Sequence, residues 1–129
     1  ENALAETLVQ RLDVRPHDIH YVMTGLSGGN QQKVVIGKWL TGDYPLYLMD
    51  EVTAGVDIEA KAEIYKIMGE IVLKGGAVLL ATGDIEEAMG VSDRVIVLYK
   101  GKIVYQAKPE DTTKDDILAY IMGGGGHAQ

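Results

Sequence analysis

No cysteine occurs in the chain. That excludes a disulfide framework and a cysteine-based metal site, and it fits a reducing compartment such as the cytosol. Basic charge is scarce: 12 Lys and Arg stand against 19 Asp and Glu, a formal net charge of −7. The surface therefore offers no general footprint for nucleic acid or an anionic membrane, and any phosphate recognition has to be local. Long apolar runs are missing as well. A stretch such as residues 77–81 falls far short of the roughly 20 residues of a membrane helix, and the opening ENALAETLVQ has no basic-then-apolar targeting pattern. No direct membrane insertion is expected. There is no internal repeat and no initial methionine; the chain opens inside a helical rhythm of Leu4, Leu8 and Leu12, as a segment of a longer protein does.

With 129 residues, 47% hydrophobic and 24% charged, the chain can bury the core of one globular domain. After the first helix, DVRPHDIHYVMTG is irregular, with Pro16 breaking the rhythm and Gly25 marking a turn. A helix is expected to start at Ser27-Gly28-Gly29, with Val34, Val35, Trp39 and Leu40 as its apolar positions, and to end at Thr41-Gly42-Asp43. PLYLMDE reads as a buried strand that delivers two acids to its C-terminal edge. Ile64, Ile67, Met68, Ile71 and Val72 form one helical face that stops at Lys74-Gly75-Gly76. AVLLAT reads as a second buried strand. Beyond Gly83, DIEEAMG is a short acidic helix, RVIVLY and KIVYQA form a hairpin across Lys100-Gly101, TTKDDILAYIM closes as a helix, and GGGGHAQ is a flexible tail. Alternating strands and helices indicate a parallel α/β core whose strand C-termini share one functional edge.

Two places carry chemistry. A helix N-terminus offers free N–H groups and partial positive charge, and glycines let an anion approach the backbone, so Ser27-Gly28-Gly29 reads as a phosphate cradle. A serine cap with a glycine turn is the structural alternative. Asp50-Glu51 at a strand end suits the division of labour of phosphoryl transfer, one carboxylate toward a metal and the next toward a water. His17 and His20 read as surface residues rather than a metal site, and Asp84, Glu86 and Glu87 as the solvated start of a helix favoured by its dipole.

Together these pieces resemble the ATPase domain of ABC transporters. LSGGNQQKV is similar to the signature motif in the form typical of simple-sugar importers, LYLMDE to the Walker B strand, TAGVD to the D-loop, DIEAKAEIYKIM to the helix that follows it, and SDRVIVLYKGKIV to the hairpin past the switch region. The resemblance implies an α/β fold: a partial P-loop NTPase (RecA-like) core with parallel strands and crossover helices, a C-terminal hairpin, and part of the ABC helical subdomain. Residues 1–42 would be the helical-subdomain portion, 43–122 the C-terminal half of the core and 123–129 the tail. It further implies that Ser27, Gly28 and Gly29, with Asn30 and Gln31 of the same motif, meet the γ-phosphate of ATP held by a second, head-to-tail ATPase domain. Asp50 would hold Mg²⁺ through water, Glu51 would polarise the attacking water, and Asp57 would organise the D-loop across the pair. Membrane permease subunits would be partners, placing the protein on the cytoplasmic face of the membrane.

The family pattern is not complete. No G-x-x-x-x-G-K-[ST] phosphate loop occurs: Gly37-Lys38 has Gln32 where the first glycine belongs, and Gly101-Lys102 has Ile96. The chain is thus expected to be the second half of an ATPase domain, inactive alone. Gly83 stands where the family's switch histidine or serine contacts the γ-phosphate, Val52 replaces a proline, and Ala54 stands where an arginine is frequent. Two alternatives stay open: a non-catalytic module completing a partner's site, and nucleoside rather than sugar cargo. Without the phosphate-loop strand, the strands at 77–81 and 94–99 are left with open edges, so the chain is expected either to close that gap directly or to self-associate through it.

Overall fold

A computed structural model describes residues 1–123. The chain forms two compact units, Glu1–Ala81 and the segment from Thr82 on.

In the first unit, helix α1 (Asn2–Arg11) leads through a loop and a single 3-10 turn (Met23–Gly25) into α2 (Gly28–Trp39), strand β1 (Leu46–Asp50), α3 (Ile58–Leu73) and β2 (Ala77–Ala81). β1 and β2 pair in parallel, from Leu46 opposite Ala77 to Asp50 opposite Ala81, with α3 as the crossover. The expected stripe of α3 forms the core: Ala60, Ile64, Ile67, Met68 and Ile71 are buried, joined by Leu12, Val14, Ile36, Met49 and Val52. α3 ends where glycine permits. Gly75 has φ 88°, and the amides of Gly75 and Gly76 return to the carbonyls of Val72 and Ile71 at 2.9 and 3.0 Å, the two bonds of a Schellman cap.

Two expectations about burial are corrected. The strands are not buried on both faces: Met49 points inward while Leu48 is 73% and Leu79 54% exposed, because this unit lays a helix layer against one side of a two-stranded sheet and the pleat sends alternate residues to the other. In α2 the buried face is Gly29, Lys33, Ile36 and Gly37, whereas Val35 and Trp39 are exposed. Glycine decides this face by close approach: a Cβ on Gly37 would stand 2.7 Å from Leu12 Cδ1.

In the second unit, α4 (Ile85–Val91) is followed by β3 (Val95–Tyr99), β4 (Lys102–Ala107), a 3-10 turn (Pro109–Asp111) and α5 (Lys114–Ile121). β3 and β4 are antiparallel. Lys100 and Gly101 both take positive φ, 48° and 76°, the two-residue turn whose twist matches the strands. Val95, Val97 and Ile117 form a small core with Ile85, Met89, Tyr105 and Tyr120 around it. Thr113 and Asp116 make a reciprocal capping box at the start of α5. The acidic start of α4 is not wholly solvated as expected. Asp84 accepts the amides of Glu86 and Glu87, and Glu87 is buried; an acidic stretch reveals its sign but not which side of its helix meets the core.

The described strands make two separate two-stranded sheets, β1 with β2 and β3 with β4. RVIVLY is therefore paired within its hairpin, not as a third parallel strand of the first sheet. The expected tail lies, from residue 124 on, outside them. No described helix is long and apolar enough to cross a membrane.

Ile64 has no exposed surface, so Ile64→Ala is expected to lower stability by about 2–5 kcal/mol in denaturant unfolding. Ile58→Ala, at a position 87% exposed, is expected to change it by no more than about 0.5 kcal/mol.

Candidate functional site

The corner at the start of α2 is held from three sides. Ser27 is extended, with φ −60° and ψ 156°, and caps the helix. Its Oγ accepts the Asn30 backbone N–H at 3.3 Å and the Asn30 side-chain amide at 3.0 Å. Gln31 reaches back with Nε2 to the carbonyls of Met23 and Leu26, both at 3.1 Å, which ties the 3-10 turn to the helix. Asn30 Oδ1 accepts the backbone N–H of Arg15 at 3.0 Å. The first-turn amides of Gly28 and Gly29 have no partner within the helix itself, as at any helix start.

The loop that supplies Arg15 is itself braced. Buried Lys33 donates from Nζ to the Asp13 carbonyl at 3.2 Å, and Asp13 takes left-handed φ 47°. The Asp13 carboxylate accepts from Arg15 Nε at 3.2 Å and pairs with His17 Nε2 at 2.9 Å. Hydrogen bonds from Arg15 first and His17 second hold its carboxyl down at about 2, and the same pairing raises Arg15. His20 stays in the loop, where its backbone N–H donates to Asp18 Oδ1. Among the described residues no group of three or more His, Cys, Asp or Glu could hold a metal ion.

Asp50 ends β1 and is exposed, as is Glu51 beside it. Glu51 sits in the left-handed region at φ 49°, a conformation that costs a non-glycine residue about 1–2 kcal/mol. Neighbouring bonds hold it there: its N–H donates to the Ala81 carbonyl at 2.9 Å, and its carbonyl accepts from Ala54 at 3.0 Å. Val52 and Thr53 are buried at 9% and 2% exposure, so the chain anchors immediately after the exposed acids. Gly55 at φ 71° completes the turn, and Asp57 caps α3 by accepting the Ala60 N–H at 2.8 Å.

Corner and strand-end loop are neighbours. A Cβ on Gly28 would stand 3.9 Å from the Gly55 carbonyl oxygen, and one on Gly29 2.7 Å from Ala60 Cβ. The two glycines therefore differ: Gly28 is exposed at the helix start, and Gly29 is buried where α2 crosses α3. Ser27, Gly28, Gly29, Asn30, Gln31, Asp50, Glu51 and Asp57 all fall within the first unit, while Gly83 belongs to the second, just ahead of the Asp84 cap. Lys33, Asp13 and Arg15 carried no signal in the sequence. A lysine among apolar helix positions reads as solvent-facing, and only the buried tether to Asp13 reveals otherwise.

Glycine at position 51 is expected to be more stable than alanine there by about 1 kcal/mol in denaturant unfolding. Neither variant carries the carboxylate, so the difference isolates the backbone strain. The Asp13 carboxyl is expected to titrate with a midpoint near 2 by carbon-detected NMR, below its ordinary 3.8. Because the folded value is depressed, its contribution to stability is complete above the ordinary value and is lost as pH falls through about 2; Arg15→Ala moves the midpoint back up.

No family model matches the chain. It is 39% identical over 127 residues to the ribose import ATP-binding protein of Oceanobacillus iheyensis, covering 98% of this chain and 26% of that protein. Among solved structures, MJ1267, an ATP-binding cassette of an ABC transporter, superposes with a TM-score of 0.79 at 23% identity over 95% of this chain and 48% of its own. A dimeric, post-hydrolysis structure of the ATP-binding cassette MJ0796 with ADP and Pi superposes at 0.72 and 25% identity, over 83% and 46%. Along nearly its whole length the chain is thus similar to ribose import ATP-binding proteins and shares the fold of ABC transporter ATP-binding cassettes, and it spans about a quarter of the length of the curated relatives it matches.

Proposed function

We propose that the chain is part of the ATP-binding and ATP-hydrolysing subunit of an ABC importer for simple sugars. The observation that carries this reading is the junction of the Ser27-Gly28 corner with the loop leaving Asp50-Glu51, at Gly28 and Gly55. An anion-binding helix start and a pair of exposed carboxylates thus share one neighbourhood. The residues fit a magnesium nucleotide: Ser27 and Gly28 are exposed at a helix N-terminus, where glycine leaves the backbone open to a phosphate, and Asp50 is an exposed hard-oxygen donor. Bound Mg-ATP supplies a phosphoryl group whose charge the metal neutralises. The chain does the rest. The Ser27 hydroxyl and the Gly28 and Gly29 amides donate to the γ-phosphate held by a second, head-to-tail ATPase domain, and Asn30 and Gln31 keep the corner in shape. Asp50 would hold Mg²⁺, the Glu51 carboxylate would accept a proton from the attacking water, and Asp57 would set the loop between the two domains. Permease subunits couple this cycle to transport at the cytoplasmic face of the membrane. The name of the Oceanobacillus relative supports sugar cargo, and the MJ0796 dimer supports pairing of two domains.

A second reading, a non-catalytic half-site that completes a partner's site, is favoured by Gly83, which brings no side-chain donor to the switch position. The two readings separate in the complete subunit assembled with its permease. Glu51→Gln is expected to reduce ATP turnover by about 10²–10⁴-fold; undiminished turnover would establish the second reading. Calorimetric titration of this chain alone with Mg-ATP is expected to give no binding, with self-association through the open sheet edges in its place. Micromolar binding, roughly −8 kcal/mol, would overturn the half-site reading.

A further inference from the structure

We propose that Asn30 is a positioning residue that turns the Ser27 hydroxyl into an outward hydrogen-bond donor, and that the Asp13–Arg15 loop sets Asn30 for this task. The inference rests on the reading of the corner as a phosphate site and deepens it.

A serine hydroxyl has one proton and two lone pairs. In Ser27 both lone pairs are directed at Asn30: the backbone N–H donates at 3.3 Å and the side-chain amide at 3.0 Å. What the hydroxyl has left to offer is its proton, and it offers it at an exposed helix start. This arrangement requires the nitrogen of the Asn30 amide, and not the oxygen, to face Ser27. A carboxamide can present either atom, so its orientation follows from its other partner. Here that partner is the backbone N–H of Arg15, 3.0 Å from Oδ1, a group that can only donate. The amide is locked by a donor on one side and directs a donor to the other.

Arg15 is placed by α2 itself. Lys33 lies three residues after Asn30, on the same side of the helix. Buried at 6% exposure, it grips the Asp13 carbonyl, while the Asp13 carboxylate holds the Arg15 guanidinium at 2.8 Å. The path from α2 through Lys33, Asp13 and Arg15 back to Asn30 is closed. A phosphate oxygen is only an acceptor, so a hydroxyl held as a donor binds it without first giving up another bond, which is what preorganisation of an anion site requires.

Asn30→Asp is nearly isosteric and places an acidic residue in the first turn, where the helix favours it, so stability is expected to hold or rise. An aspartate can only accept, and it recruits the Ser27 proton inward. In the complete subunit with its permease, Ser27→Ala is expected to raise the ATP concentration for half-maximal turnover by about 10- to 100-fold, the loss of one hydrogen bond to a charged group. Asn30→Asp is expected to cost a similar factor. The double variant is expected to be no worse than either single one, because both act through one hydroxyl. If the two factors multiply in the double variant, Asn30 acts independently of Ser27, as charge repulsion would, and the proposal is overturned. If Ser27→Ala has no effect, the phosphate reading of the corner fails and the proposal with it. Should Asn30→Asp not fold, Asn30→Ala carries the same cycle.

Discussion

The close crossing of α2 over α3 is the constraint on which the candidate site depends. Gly29 meets Ala60 where any side chain would collide, so the two helices approach as nearly as their backbones allow. Ala60 is also the residue whose amide is capped by Asp57. One contact thus fixes the start of α2 against the start of α3, and the loop that enters α3 is the one that leaves Asp50 and Glu51. A larger residue at position 29 would push the start of α2 away from α3, and with it the Ser27-Gly28 corner away from the loop that leaves Asp50 and Glu51.

Around that crossing the molecule spends stability on geometry. Glu51 and Asp13 both occupy left-handed backbone, where a side chain is unfavourable, and each is held by bonds on either side. Burying Lys33 is costly unless its ammonium is satisfied, and the Asp13 carbonyl accepts from it. Such features are expected where a chain must hold polar atoms in set directions rather than maximise packing. The second unit has a different character, a tight hairpin, a reciprocal cap and a stacked pair of tyrosines, Tyr105 and Tyr120, 4.3 Å apart, all devices of local stability.

Much of this was legible in the residues alone. The helix face from Ile64 to Ile71, the Ser27 start of α2, the strand that ends at Asp50 and the Lys100-Gly101 turn follow from periodicity and capping chemistry, which act over a few residues. The failures have a common cause. Glycine scores as neither apolar nor polar, so the face of α2 carrying Gly29 and Gly37 was invisible and Val35 and Trp39 looked like its core. Apolar runs such as LYLM suggested strands covered on both sides, yet the covering depends on elements a strand does not encode. Glu87 looked solvated because charge announces a preference for water and gives no direction.

Local pattern determined which segments are helices and strands, where they are capped, and which residue types stand at the two chemically charged places, because hydrogen bonding along the backbone and the spacing of apolar side chains are settled between near neighbours. Tertiary structure alone decided that Gly28 lies beside Gly55, that Lys33 turns inward to the Asp13 carbonyl, and that the Arg15 amide locks Asn30 against Ser27. Those contacts join residues far apart in the chain, and their geometry exists only once the helices have packed at their glycines.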